Sequence, residues 1–271
     1  MDVSVIVINF NTLELTKNCI ASVMQFSAGF SLEIILVDNA STEADVSVLS
    51  SEMPFLKIIK NPVNVGFAKG NNVGISVASG EYILLLNSDT VLTENTISKL
   101  FSYLKAYPKV GAVSTRLIFP DGQHQDSAQR FPSIKYSLLE LLRVQKFLPK
   151  RQSGKLLLGA FFNHGATVEA DWVWGTCLMI PSKVINQLPG NKLDDQFFMY
   201  SEDVQWCMDI RKLGYKIIFF AESEVTHLMG GSSGNKNNMM LENGELFLKR
   251  NYASWEIWLI KKLAKLLDHE N

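Results

Sequence analysis

The chain has 271 residues, 47% of them hydrophobic and 20% charged, with a formal net charge of −1. That balance is ordinary for a globular protein of one large or two small domains, and it excludes the basic footprint of a nucleic-acid binder. The three cysteines, Cys19, Cys177 and Cys207, are too widely spaced for a metal knuckle or a disulfide framework, which suits a reducing compartment.

The first five residues lack the basic start of a signal peptide, and no run of about 18 apolar residues occurs. The expectation is a cytoplasmic chain without a membrane span.

Residues 3–10 are rich in β-branched side chains and read as a first strand. Asn11 or Thr12 can cap the helix that follows, which carries Leu15, Cys19, Ile20, Val23 and Met24 at helical spacing. Residues 32–37 form a second strand ending in Asp38-Asn39-Ala40-Ser41-Thr42, and residues 56–59 a shorter third ending in Asn61-Pro62. Gly66, Gly70 and Gly74 then fall four residues apart at the start of a helix. Such spacing admits a phosphate at a helix N-terminus or tight packing on a sheet. Packing is assigned to Gly74, while Lys69 and Asn71 stand as ligand candidates. Neither a Walker loop nor a dinucleotide fingerprint is present.

Residues 82–86 are apolar without a break and lead directly into Asn87-Ser88-Asp89. This pattern predicts a strand covered on both faces that ends in a carboxylate. Asp89 reads either as a turn cap or as an oxygen ligand for a hard cation. Strands alternating with helix-length segments imply an α/β class, with a mostly parallel sheet flanked by helices. The strand ends share one rim, so Asn9, Asp38 and Asp89 are expected around one crevice.

A helix is predicted over residues 93–107 with Thr93 as its cap, then a strand over residues 110–119 and a turn at Pro120-Asp121-Gly122. The pattern weakens over residues 123–169. One helix is expected near Leu138–Val144, and the basic residues 146–155 are expected to be exposed. His124 and His164 read as surface or turn residues. Residues 172–180 form a buried strand interrupted at Trp174 and Gly175, where it can line a pocket; the tryptophans suit packing and sugar stacking alike.

Asp194, Asp195, Glu202 and Asp203 flank the apolar run Phe197-Phe198-Met199-Tyr200. Ser201 is the predicted cap of a helix with Trp206, Cys207, Ile210 and Leu213 on its apolar face. Acids in a first helical turn are common for dipole reasons, and a carboxylate beside an apolar wall is also a candidate base. A last strand over residues 215–220 leads to His227, either structural or a metal ligand. The run Gly230-Gly231-Ser232-Ser233-Gly234-Asn235 follows as a candidate lid loop. A C-terminal helix over residues 245–268 places Tyr252, Trp255, Leu259, Leu263 and Leu266 on one face and Lys261, Lys262 and Lys265 towards the other. It can pack on the domain, pair with a second copy as a homodimer, or lie on an anionic membrane surface.

Five segments occur in an order that resembles the inverting glycosyltransferases of family 2, especially their bacterial rhamnosyltransferase-like branch. They are Val5-Ile6-Val7-Ile8-Asn9-Phe10-Asn11, Val37-Asp38-Asn39-Ala40-Ser41, Asn64-Val65-Gly66-Phe67-Ala68-Lys69-Gly70-Asn71-Asn72, Leu86-Asn87-Ser88-Asp89 and Phe198-Met199-Tyr200-Ser201-Glu202-Asp203. The resemblance spans residues 3–234. It implies a GT-A nucleotide-diphosphosugar transferase fold, with a nucleotide-binding half over about residues 1–119, an acceptor-binding half over about 120–234 and a helical extension over 235–271.

It also implies a dTDP- or UDP-sugar donor, rhamnose among the candidate sugars, a glycan or lipid-linked acceptor, and a divalent cation, Mn²⁺ or Mg²⁺. Asn9, Asn11 and Asp38 would hold the nucleoside. Asn64, Gly66, Lys69, Asn71, Asn87, Ser88 and Asp89 would line the rest of the donor site. Asp89 and His227 would be the metal ligands, although the usual Asp-x-Asp is here Asn87-Ser88-Asp89 and lacks its first carboxylate. Asp203 would be the catalytic base, with Glu202, Trp174, Gly175 and Asp195 towards the acceptor and Asp194 a weaker candidate there. By analogy the setting is polysaccharide assembly at the inner face of a bacterial cell membrane.

Two other readings stay open. A sugar-phosphate nucleotidyltransferase would need a Gly-x-Gly-x-Arg loop, and Asn9-Phe10-Asn11-Thr12-Leu13 has no glycine. A binding module that has lost its chemistry is supported by Asn87 and opposed by Asp203 and His227.

Overall fold

The structure is a computed structural model that describes residues 1–229 and 236–268. The expected lid loop at residues 230–235 lies outside the described residues. The chain runs β1 (Val3–Asn9), α1 (Leu13–Gln25), β2 (Leu32–Asp38), α2 (Leu49–Glu52), β3 (Lys57–Lys60), α3 (Phe67–Ile75), β4 (Tyr82–Asn87), β5 (Thr90–Leu92), α4 (Thr96–Ala106) and β6 (Val110–Ile118). It continues through β7 (Ala128–Gln129), α5 (Ile134–Leu141), α6 (Lys150–Leu157), β8 (Val168–Ala170), β9 (Trp172–Val173), β10 (Cys177–Pro181) and α7 (Ser182–Ile185). It ends with α8 (Glu202–Lys212), β11 (Lys216–His227), α9 (Lys236–Asn251) and α10 (Ser254–Asp268).

The main sheet has the order β3-β2-β1-β4-β10-β6-β11-β5, with β8 also paired to β11. Strands β3, β2, β1 and β4 are parallel. β10 enters antiparallel between β4 and β6. β6 and β11 are parallel, and β5 and β8 run against β11. The sheet is therefore mixed, with most strands running one way. β7 and β9 form a separate two-stranded ribbon.

Both faces are covered, as the unbroken apolar run of β4 predicts. Ile83 and Leu85 join Ile6, Ile8 and the α8 residues Trp206, Cys207 and Ile210 on one face. Leu84 and Leu86 join Val5, Val7, Cys19, Ile20, Ile97 and Leu100 on the other. Each such side chain contributes about 1.5–3 kcal/mol on burial, so the two layers hold the sheet between them. The three cysteines are free and buried.

Several expectations are corrected. The helix expected from Thr93 starts at Thr96, because Thr90–Leu92 is claimed by pairing with Val225–His227. The strand expected over residues 172–180 breaks at Trp174, and its two parts belong to different sheets. β11 runs on to His227 rather than stopping at Phe220, through a bulge that restores pairing with Arg116–Ile118. The mid-chain helix begins earlier, at Ile134, where the Ser133 hydroxyl accepts from the Tyr136 N–H at 3.2 Å. His164 is buried rather than on the surface, at a turn with φ of 55°.

The single C-terminal helix is instead two, α9 and α10. Glu256 accepts from the Ala253 N–H at 2.9 Å, which starts α10 afresh. α10 packs on α5, and it buries Ile260 while leaving Trp255, Trp258 and Leu266 exposed. The buried stripe is thus rotated from the one expected.

Glycines place α3. An added Cβ on Gly74 would come 2.5 Å from Ile6 Cγ2, which confirms its packing role. Gly66 has φ 86° and ψ 175°, a region that costs other residues heavily. It lies under Phe198, whose carbonyl accepts from the Phe67 N–H at 2.7 Å.

Gly66→Ala should therefore destabilise the fold by on the order of 2–4 kcal/mol, from strain plus the clash of the new Cβ with Phe198. Thermal melting checks this: the midpoint should fall by roughly 5–10 °C. An unchanged midpoint contradicts the packing described.

Candidate active site

β1 and β2 end side by side at Asn9 and Asp38. Asn9 Nδ2 donates to Asp38 Oδ1 at 2.8 Å and to Ser41 Oγ at 2.9 Å. Its Oδ1 accepts from Thr12 at 3.1 Å and Thr16 at 2.8 Å. The Ser41 hydroxyl donates to Asp38 at 2.6 Å. Thr12 occupies the α1 cap position without a side-chain cap bond, because its hydroxyl serves this network. Asn11 and Ala40 turn the chain here with left-handed φ of 54° and 62°. Such outliers persist where surrounding bonds over-determine them and cluster at ligand clamps.

Asn39, 2% exposed, ties this rim to the glycine segment. Its Nδ2 donates to Asn64 Oδ1 and the Gly66 carbonyl, both at 3.0 Å. Its Oδ1 accepts from Asn61 at 3.0 Å and the Val65 N–H at 3.2 Å. Of the α3 residues named from sequence, Lys69 is exposed. Asn71 is buried and donates to the Phe67 carbonyl within its own helix at 3.0 Å.

At the end of β4 the Ser88 and Thr12 hydroxyls lie 3.1 Å apart, so the third strand end joins the same rim. Asn87 Oδ1 is buried with no hydrogen-bond partner among the described residues. Asp89 and His227 are both buried, and His227 Nε2 lies 3.3 Å from Asp89 Oδ1. Their backbones are fixed to each other: β5 pairs Thr90 with His227, and the Leu228 N–H donates to the Asp89 carbonyl at 2.9 Å. The structure thus brings together Asp89 and His227, far apart in the chain, which the sequence named as one pair.

The later half of the chain meets this rim through Trp174-Gly175-Thr176. The Asn87 N–H donates to the Thr176 carbonyl at 2.9 Å, and the Gly175 N–H donates to Asp203 Oδ2 at 3.1 Å. An added Cβ on Gly175 would lie 3.4 Å from Asp203 Cβ, so the contact is close-packed. Trp174 is half-buried against the β1–β4 core and donates its backbone N–H to the Ser127 carbonyl at 3.0 Å.

α8 is entered through Tyr200 and Ser201, both left-handed at φ 70° and 67°. Ser201 sits at the cap position but its side chain makes no cap bond. Asp203 Oδ1 instead accepts from the Val204 N–H at 2.8 Å.

Burial pushes the Asp203 carboxyl up, partly offset by the Gly175 and Val204 N–H groups. Burial pushes Glu202 up further, and the charge of Asp203 adds to it. Glu202 Oε2 is buried and has no hydrogen-bond partner among the described residues. Two adjacent carboxyls, Glu202 buried and Asp203 half-buried, cannot both ionise cheaply, so the pair holds protons more strongly than free carboxyls do. Asp194 is engaged by Arg250 at 2.6 Å and Asp195 by Lys192 at 2.7 Å.

Sequence reasoning did not single out Asn39, Thr12, Ser41, Gln125 or Arg250 as site residues. Asn39 and Ser41 lie inside a motif that was read. Gln125 and Arg250 carry no local signal, because their partners are far away in the chain.

Residues 4–168 match the profile of glycosyl transferase family 2. Among curated proteins the chain is similar to an N-acetylglucosaminyl-diphospho-decaprenol L-rhamnosyltransferase of Mycobacterium tuberculosis, 22% identical over 83% of this chain and 76% of that protein. It is also similar to the low-salt glycan biosynthesis hexosyltransferase Agl10 of Haloferax volcanii, 24% identical over 78% of this chain and 62% of that one. Among solved structures it superposes on GalNAc-T7 with UDP, GalNAc and Mn²⁺, with a TM-score of 0.63 and 16% identity. That likeness covers 86% of this chain but only 44% of GalNAc-T7. Staphylococcus aureus TarS 1-349 matches with a TM-score of 0.59 and 14% identity, over 93% of this chain and 74% of that one. These likenesses establish the GT-A fold, with helices appended at the C-terminus.

Proposed function

The chain belongs to glycosyl transferase family 2, and from that premise we propose that it moves a sugar from a nucleotide-diphosphate donor to a hydroxyl of a glycan or lipid-linked saccharide, with inversion. The observation that carries this reading is the three-residue connector Trp174–Thr176. Its Thr176 carbonyl accepts from the Asn87 N–H and its Gly175 N–H donates to Asp203, so a carboxyl of raised pKa is tied to the end of the strand that leads into Asp89. The name of the mycobacterial relative supports rhamnose as the sugar and a lipid diphosphate as the acceptor's carrier.

The residues suit a divalent cation. Asp89 and His227 offer an oxygen and a nitrogen 3.3 Å apart, and two residues before Asp89 the Asn87 Oδ1 is buried with no hydrogen-bond partner among the described residues. Oxygen and imidazole donors suit Mn²⁺, and Mg²⁺ accepts the oxygens. Among the described residues no group of three or more His, Cys, Asp or Glu gathers at one point, so the donor's diphosphate would complete the shell. When bound, the cation would neutralise the charge growing on the departing nucleoside diphosphate.

The chain's own residues then divide the work. Asn9, Asn11 and Asp38 shape the nucleoside rim, with Asn64, Gly66, Lys69 and Asn71 on the adjoining helix start and Ser88 between the two. Asp203 takes the proton of the acceptor hydroxyl as that oxygen attacks the anomeric carbon opposite the diphosphate. The anomeric carbon–oxygen bond to phosphate breaks and its electron pair leaves with the diphosphate. Glu202, whose carboxyl is pushed up further, leaves Asp203 as the more readily ionised base. Gly175 holds that base in place through its N–H, and Trp174 and Asp195 border the acceptor side.

A lipid-linked acceptor also accounts for the exposed face of α10. Trp255 and Trp258 are 62% and 56% exposed, and Lys262 Nζ stands 4.3 Å over the Trp258 ring. Aromatic rings with lysines beside them suit the interface of an anionic bilayer. No helix among the described residues is long and apolar enough to cross a membrane.

Asp203→Asn should lower turnover by roughly 10²–10⁴-fold while donor binding, followed by calorimetry, is retained. In the wild type the rate should rise with pH through about 6, because the base works only when ionised. A variant that keeps turnover, or a limb at the ordinary value of 3.8, contradicts the assignment.

The protein should also float with phosphatidylglycerol vesicles and not with phosphatidylcholine ones, and a Trp255→Ala, Trp258→Ala double variant should lose this. No flotation with either vesicle rules out the membrane contact.

A further inference from the structure

Gln125 lies on the segment that returns from β6 after the Pro120-Asp121-Gly122 turn. Its backbone N–H donates to the Leu117 carbonyl at 2.8 Å, and its side chain is buried with the residue 2% exposed. The side-chain amide grips His227 at two points. Nε2 donates to the His227 backbone carbonyl at 2.9 Å, and Oε1 lies 2.7 Å from the His227 ring Nδ1.

These two contacts decide the ring's tautomer. A backbone carbonyl only accepts, so the amide nitrogen must face it. The amide oxygen then faces Nδ1, and it too only accepts. Nδ1 must therefore carry the hydrogen. In the neutral ring Nε2 is left with its lone pair, and that lone pair faces Asp89 Oδ1 at 3.3 Å. Two buried acceptors at that distance repel unless positive charge lies between them. The backbone prevents them from separating, since Thr90 pairs with His227 and Leu228 bonds to the Asp89 carbonyl.

We propose that Gln125 is a positioning residue that locks His227 as the Nδ1–H tautomer, so that Nε2 and Asp89 form a pre-set pair of ligands for a divalent cation. The inference rests on the reading of the site given above. It adds that the cation's affinity is set partly by an amide that touches neither cation nor substrate. Outer partners that fix a ligating imidazole are typically worth 10–100-fold in metal affinity.

The test has a readout that needs no metal. Nitrogen-15 NMR of the imidazoles at a pH where His227 is neutral should show Nδ1 protonated and Nε2 bare. In Gln125→Met, of similar length but without the amide, the hydrogen should move towards Nε2, where it can bond Asp89. Mn²⁺ binding, followed by electron paramagnetic resonance without nucleotide and with UDP or dTDP, should weaken by roughly 10–100-fold in that variant. Gln125→Glu loses the donor to the His227 carbonyl but keeps an acceptor for Nδ1–H, so it should hold the Nδ1–H tautomer that Gln125→Met loses, which separates the lock from a general loss of packing.

A wild-type ring protonated at Nε2 overturns the proposal. So does a Gln125→Met variant that keeps both the tautomer and the Mn²⁺ affinity. His227→Ala tells the two possible failures apart. If it binds Mn²⁺ as the wild type does, or if the wild type binds none, the cation reading itself fails. If it weakens Mn²⁺ binding and Gln125→Met does not, only the role of Gln125 falls.

Discussion

The site depends on one topological constraint: β10 enters the sheet antiparallel between β4 and β6. Parallel strands deliver their C-terminal ends to one rim, and a strand running the other way begins there. The residues just before β10, Trp174 to Thr176, are therefore placed beside the exit of β4. Two hydrogen bonds complete the junction, one from the Asn87 N–H to the Thr176 carbonyl and one from the Gly175 N–H to the Asp203 carboxylate. Without that reversal Asp203 of α8 and the polar rim of β1, β2 and β4 would belong to separate surfaces.

Around that junction the local structure is under tension that packing holds in place. Tyr200 and Ser201 adopt left-handed backbone just before Glu202 and Asp203. Phe198 is fixed over Gly66 by its carbonyl bond to the Phe67 N–H. The C-terminal helix α9 clamps the same loop from outside, with Asn243 donating to the Met199 carbonyl at 2.7 Å and Arg250 paired to Asp194. Strain of this kind costs on the order of 1–3 kcal/mol per residue and survives only where neighbours over-determine the conformation. The result is a carboxylate pair drawn partly out of water, which is what raises the affinity of Asp203 for a proton.

Much of this was legible in the sequence, and the reason is local. The apolar runs of β1, β2 and β4 announce strands covered on both sides, and the polar residues after them mark the rim. Gly74 reads as a packing residue because glycines four apart share one face of a helix and let that face lie close against a sheet. What escaped was non-local. β5 is three residues long and exists only because β11 reaches it through a bulge. The inward face of α10 is set by α5, which no periodicity within α10 can reveal. Gln125 and Asn39 act through amides whose partners lie far off in sequence or across a turn, so residue type alone says nothing of their role.

The central claim is that the rim from Asn9 to Asp89 binds a nucleoside diphosphate with a divalent cation. Calorimetric titration of the protein with dTDP, UDP and GDP, each with Mn²⁺ or with a chelator, addresses it most directly. The account predicts that one of these nucleotides binds with Mn²⁺, that the chelator weakens it, and that Asp89→Ala abolishes the Mn²⁺-dependent part. Absence of binding by every nucleotide under both conditions would contradict it.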